Sequence, residues 1–287
     1  QYLQYNIILD YTVKLNNAEY VYFQHLGVKR SYGDNPFIIK ESNNISVLNC
    51  MLSGDISIKI ESESENIDIN NNYFEGNYDK RICIVGSAGS LNRKIEIRHN
   101  IFPASTNYCI EISYAENVEI LQNQISNFYQ AIKIEYCDNV LVGYNTIENS
   151  ENYCIEINSD VSQDSIQIIG NRISGIMNSD GIRIFCENVE IINNFIHING
   201  LAENYGVYLS SLANNCKLYH NAISVTSSNS VSGAVYLEDA EYLDIRNNIF
   251  TNCGGGYSVK VEYSPLNLII IHLVKMPGKL LIVLFRY

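Results

Sequence analysis

Val118-Glu-Ile-Leu-Gln-Asn-Gln-Ile125 decides the fold. It reads as apolar-x-apolar, two mostly polar residues, an Asn, then x-apolar. Alternation of period two marks a strand with one buried and one solvated face. The phrase recurs along the chain. Val140-Leu-Val142 leads to Asn145 and Ile147, Ile166-Gln-Ile168 to Asn171 and Ile173, Val189-Glu-Ile191 to Asn194 and Ile196, and Leu243-Asp-Ile245 to Asn248 and Phe250. Asn72, Asn100 and Asn221 fall in the same column as Asn123, with Leu26 and Cys50 holding it in the first two copies. The intervals run from 22 to 28 residues, the period of a solenoid.

A second strand accompanies each copy, a small residue followed by apolar-x-apolar: Cys109-Ile-Glu-Ile112, Ala131-Ile-Lys-Ile134, Cys154-Ile-Glu-Ile157, Gly181-Ile-Arg-Ile184, Gly206-Val-Tyr-Leu209 and Ala234-Val-Tyr-Leu237. The x-apolar after each Asn is a third, shorter strand. Three short strands per repeat, always in one direction, cannot form a meander. Equivalent strands must lie side by side in parallel, which predicts an all-β solenoid of about ten coils. The Asn column (Asn72, Asn100, Asn123, Asn145, Asn171, Asn194, Asn221, Asn248) is expected at a tight bend, where Asn tolerates left-handed backbone geometry. Its amides are expected to bond to those above and below as a ladder.

Composition agrees. With 4 Pro, 3 Met, no Trp and 46% hydrophobic residues, the chain suits β-branched strands between polar turns and can bury a long core. A net charge of −12 without a Lys/Arg cluster sets nucleic-acid binding aside. The eight cysteines show no Cys-x-x-Cys pair and no zinc spacing. Cys109 and Cys154 share a column two coils apart, too far for a disulfide, and read as stacked small hydrophobes. No metal is expected.

The chain starts at Gln1-Tyr2-Leu3 inside a strand pattern, and is expected to be a fragment lacking its N-terminal cap. Residues 1–265 form the solenoid. Residues 266–287 form an irregular apolar tail, too interrupted by Lys275, Pro277 and Lys279 to span a membrane. That tail is read either as out of frame or as a genuine terminal strand.

These repeats resemble the right-handed, single-stranded parallel β-helix superfamily that includes pectate lyases, polygalacturonases and secreted or surface proteins of unknown role. Leu15-Asn-Asn-Ala-Glu-Tyr-Val-Tyr-Phe23 and Asn247-Asn-Ile-Phe250 are similar to repeats of bacterial surface proteins. The resemblance covers about residues 10–263. It implies a secreted or cell-surface location and a polysaccharide or cell-surface glycan as partner. It also implies that the Cys109-type strands form the sheet that carries the binding groove.

The outward row of that sheet is Lys59, Cys83, Glu111, Lys133, Glu156, Arg183, Tyr208, Tyr236 and Lys260. Two readings stand side by side. In one, Glu111, Lys133, Glu156, Arg183, Tyr208 and Tyr236 face an acidic glycan. Lys133 or Arg183 then abstracts a proton, Glu111 and Glu156 hold Ca²⁺, and the tyrosines stack on sugar rings. In the other, opposite charges alternate because like charges on neighbouring strands repel, and Tyr simply suits a strand. Catalysis is disfavoured. Neither Asp-Asp nor Gly-His-Gly occurs, Asp160 and Asp239 stand isolated in turns, and His25, His99 and His220 precede the bend column without a triad partner. The insertions at 74–81, 88–93, 199–204 and 224–232 are short for a lid. The expected function is a non-catalytic segment of a larger secreted or surface protein, a scaffold or carbohydrate-binding face. The alternative is a polysaccharide lyase or glycoside hydrolase.

Overall fold

The computed structural model describes residues 7–30, 33–76, 80–104, 107–159, 165–176, 180–262 and 270–273. The described residues form strands and no helix, and the chain is a parallel β-solenoid of about ten turns. It divides into two compact units, Gln1–Leu141 and Val142–Tyr287. Each unit is built from three kinds of parallel strand: sheet I from the strands that begin at the small residue, sheet II from those before the Asn, and sheet III from those after it.

In Gln1–Leu141, sheet I stacks Ile58, Ile82, Ile110 and Ile132 in register. Sheet II stacks Val21, Ile45, Ile67, Ile95 and Val118. Sheet III brings Phe74 onto Phe102, ring on ring at 4.4 Å. In Val142–Tyr287, sheet I stacks Ile155, Ile182, Val207, Val235 and Val259. Nearly all of these side chains are fully buried, each contributing about 1.5–3 kcal/mol of transfer free energy. One strand departs from the three-strand plan. Asp244–Asn252 runs through the bend unbroken and pairs with both Lys217–Tyr219 and Ala222–Val225.

The Asn column is buried and bonded from coil to coil. In the first unit Asn72 donates its Nδ2 to Asn100 Oδ1, and Asn100 to Asn123, each at 3.0 Å. In the second the series Asn145, Asn171, Asn194, Asn221, Asn248 repeats this at 3.0–3.1 Å. The Oδ1 atoms also accept the backbone N–H of the preceding column residue, as Asn72 does from Cys50 and Asn123 from Asn100, each at 2.9 Å.

The expectation of left-handed geometry needs moving by one residue. The positive φ falls on the position before the ladder: Asn71, His99 and Gln122 in one unit, and Tyr144, Gly170, Asn193, His220 and Asn247 in the other. The physical reason is direction. A left-handed residue reverses the chain's pleat, so the next side chain turns inward to meet its neighbours. The residue that makes the bend points out, and His25, His99 and His220 are accordingly exposed.

Seven of the eight cysteines are buried and Cys253 is exposed, with none of them in a disulfide. Burial pushes the Cys83 thiol up to about 11 and the Cys216 thiol up to about 12. A thiolate-selective reagent at neutral pH is therefore expected to titrate one thiol in the native protein and eight after denaturation. Fast labelling of a second thiol in the native state would contradict the packing.

Arg81, at the end of the first insertion, is fully buried. Its guanidinium donates to the carbonyls of Glu75, Gly76 and Ala104. Of the tail, Ile270–Leu273 is a strand that pairs with Asp244–Asn252. The rest of residues 266–287, like Asp160, lies outside the described residues.

Candidate functional site

Sheet I strands begin with two consecutive buried residues, as in the intermediate-buried-buried-intermediate-buried-intermediate run of Tyr108–Ser113. That double step shifts the phase of the alternation. The residue before the small one then shares the outer face with the x position, and so does the residue after the last apolar one. The outer face thus carries three columns rather than one row.

In Gln1–Leu141 the middle column places Lys59 beside Cys83, Cys83 beside Glu111, and Glu111 beside Lys133. The flanking columns add Lys80, Tyr108 and Glu135. Lys80 Nζ lies 2.5 Å from Glu111, and Lys133 Nζ lies 2.9 Å from Glu135 and 4.0 Å from Glu111. Both lysines stand over the Tyr108 ring, at 5.5 and 5.7 Å. Burial works against the charge on Lys133, but Glu135, Tyr108 and Glu111 outweigh it and raise its pKa. Lys133 is a held cation, poorly suited to take a proton.

In Val142–Tyr287 the middle column runs Glu156, Arg183, Tyr208, Tyr236, Lys260. Tyr208 and Tyr236 are not open platforms: each is 7% exposed, packed with Tyr205 at 5%. Tyr205 sits 4.7 Å from Tyr236, Tyr208 5.3 Å from Tyr236, and Phe185 5.7 Å from Tyr208. Each hydroxyl donates to a carboxylate: Tyr205 to Glu203, Tyr208 to Glu238, Tyr236 to Glu262. Burial first, and then the carboxylate, pushes the Tyr208 hydroxyl up to about 12 and raises the other two further. Arg183 lies among the rings of Tyr208 (4.4 Å), Tyr153 (4.5 Å) and Phe185 (5.2 Å). Lys260 lies over Tyr236 at 4.3 Å and Tyr205 at 5.6 Å. Cations over ring faces in partly desolvated settings contribute about 1–2 kcal/mol each.

Asp180, in the first column, is buried. Its Oδ1 accepts the Tyr205 N–H at 2.7 Å and its Oδ2 lies 3.5 Å from Arg183 Nε. Desolvation pushes its carboxyl up to about 7, against the Tyr205 N–H and Arg183. A carboxyl whose folded pKa lies above its unfolded value contributes stability that is complete below about pH 4 and lost as pH rises through 7. Asp180→Asn keeps the acceptor and removes the ionisation. It is expected to match the wild type near pH 3.5, where the carboxyl is protonated folded or unfolded, and to be more stable by roughly a few kcal/mol at pH 8.5. Equal melting temperatures at both pH values would contradict this.

A family model described as the right handed beta helix region matches residues 7–173 and 159–272. The chain belongs to the right-handed β-helix family. No curated protein matches it. Among solved structures, this β-helix is similar to PfbA, a surface adhesin of Streptococcus pneumoniae, with 14% identity, TM-score 0.52, and 81% of this chain and 72% of that one covered. It is also similar to a mannuronic acid specific polysaccharide family 6 lyase from human gut microbiota, with 12% identity, TM-score 0.63, and 89% and 68% covered. A third is the A-module of the Azotobacter vinelandii mannuronan C-5 epimerase AlgE4, with 11% identity, TM-score 0.55, and 92% and 91% covered. At such identities the likeness concerns the fold.

Of the residues singled out in the β-helix sequence, Glu111 and Lys133 meet in the first unit, and Arg183, Tyr208 and Tyr236 in the second. Glu156 lies in register beside Arg183. Asp180, Phe185, Glu203, Tyr205, Glu238 and Glu262 were not anticipated. A signal for one column was present, because Tyr precedes the small residue at 108, 153, 205 and 257. Among the described residues, no three His, Cys, Asp or Glu side chains are grouped to hold a metal ion, and no helix is long and apolar enough to cross a membrane.

Proposed function

We propose that this right-handed β-helix is a non-catalytic segment of a larger secreted or cell-surface protein, and that sheet I of Val142–Tyr287 is a carbohydrate-binding face. The observation that carries this reading is the ordered floor of Tyr205, Tyr208 and Tyr236, with Arg183 and Lys260 held over their rings and every hydroxyl tied to a carboxylate. A surface whose polar groups are already fixed loses little entropy on binding. Half-buried Tyr153 and Phe185 and exposed Tyr257 border the floor as open or partly open rings, amphipathic surfaces suited to sugar faces. The similar structures include an adhesin and two enzymes of acidic polysaccharides, which supports an extracellular glycan partner.

One observation favours the second reading, a polysaccharide lyase or glycoside hydrolase. Asp180 is a carboxyl poised near neutrality beside a fixed cation, as a general acid requires. The lyase form fits less well, because Lys133 is held as a cation and Arg183 does not deprotonate. Ca²⁺ enters only with that form.

A glycan array and a turnover assay on the intact chain separate the readings. Binding without product, weakened about tenfold or more by Arg183→Gln, is the expected result. Product release abolished by Asp180→Asn would put the enzyme in its place, and unsaturated products abolished by Lys133→Ala would restore the lyase.

A further inference from the structure

Resting on the carbohydrate-binding reading, we infer that the ligand of the sheet I face in Val142–Tyr287 is an uncharged glycan, one bearing hydroxyl or N-acetyl groups but neither carboxylate nor amine. Charge is the first argument. Four carboxylates, Glu156, Glu203, Glu238 and Glu262, share this face with the half-neutralised Asp180, against the two cations Arg183 and Lys260. A polyuronate approaching it meets net repulsion, in a chain whose total charge is already −12.

Commitment of the cations is the second. Arg183 is held among aromatic rings with Asp180 3.5 Å from its Nε. Lys260 lies 3.7 Å from Glu262, donates to the Tyr205 hydroxyl at 3.2 Å and lies over Tyr236. A ligand carboxylate would have to displace these contacts and would leave the protein carboxylates without them, a costly exchange at half-buried sites.

Hydrogen-bond polarity is the third. Glu203, Glu238 and Glu262 each take one tyrosine hydroxyl, and an ionised carboxylate has about four acceptor sites. The lone pairs that remain seek donors. Sugar hydroxyls are donors, whereas a carboxylate is an acceptor only. A cationic amine would also satisfy the acids, but it would have to lie beside Arg183 and Lys260, which stand in the middle column on either side of Tyr208 and Tyr236.

Calorimetric titration of the intact chain tests this with three series of hexasaccharides. The uncharged probes are oligomers of glucose, mannose and N-acetylglucosamine, the acidic ones of galacturonate and mannuronate, and the cationic one of glucosamine. The expected result is that at least one uncharged hexamer binds about tenfold or more tighter than any charged one, with affinity unchanged between low and high salt. The double variant Glu238→Gln, Glu262→Gln removes two of the acceptors and is expected to weaken uncharged binding about threefold or more and to strengthen galacturonate binding, narrowing the gap between the two series. Tighter binding of an acidic or cationic hexamer by the wild type overturns the uncharged ligand and leaves the carbohydrate-binding reading standing. Binding of no hexamer in any series overturns the carbohydrate-binding reading itself.

Discussion

Asn194→Ala is expected to destabilise the protein by about 4 kcal/mol. Truncation removes more than one bond. The backbone N–H and Nδ2 of Asn171 lose their acceptor, at 2.9 and 3.0 Å. The carbonyl of Ile168 and the Oδ1 of Asn221 lose a donor, at 2.8 and 3.1 Å. All of these groups are buried, so water does not replace the missing partner, and each orphan costs about 1–3 kcal/mol before relaxation. The neighbouring Asn193 provides the control. It is exposed with a φ of 55°, so Asn193→Gly is expected to leave the denaturation midpoint unchanged. Urea denaturation of the two variants checks the pair. A midpoint for Asn194→Ala within error of wild type would mean that the ladder orders the bend without stabilising it.

Arg81→Met is expected to cost about 3–5 kcal/mol. Three carbonyls, of Glu75, Gly76 and Ala104, turn toward one guanidinium. Methionine fills much of the volume but donates to none of them. Arg81→Lys is expected to recover little, because an ammonium cannot span acceptors arranged around a planar fork. Thermal melts rank the three proteins, and amide exchange should accelerate first at residues 74–76 and 102–104. Uniform acceleration throughout Gln1–Leu141 would show that the arginine is wired into the whole unit.

The architecture was legible because two signals coincide at every repeat. Apolar alternation defines each strand, and the Asn column sets the phase between strands. Register followed, as in Glu111 beside Lys133 or Arg183 beside Tyr208. The left-handed position was misplaced by one because the Asn is the recurrent letter, while the residue before it varies among Asn, His, Gln, Tyr and Gly. Strict alternation also hid two outward columns. It assigns Tyr205 to the interior, and only the consecutive burial of Gly206 and Val207 returns it to the face. The burial of Tyr208 and Tyr236 depends on what leans over them. Position 233 is Gly, next in register to Tyr205, and a Cβ there would sit 3.5 Å from the Tyr205 ring. Arg81 escaped for a related reason, since a cation after a short insertion reads as solvent-facing until its three carbonyls converge on it.

The bonds from one ladder asparagine to the next run one way within the second unit. Asn171 donates to Asn194, Asn194 to Asn221, and Asn221 to Asn248. Every turn is thus completed by an acceptor that lies later in the polypeptide. A chain leaving a ribosome or threading a translocation channel from its N-terminus delivers the donor before the acceptor exists. Each nascent turn must stay hydrated at its bend until some two dozen further residues emerge, and closing it leaves the next bend in the same state. Assembly of this column has a built-in direction, the one in which the chain is made.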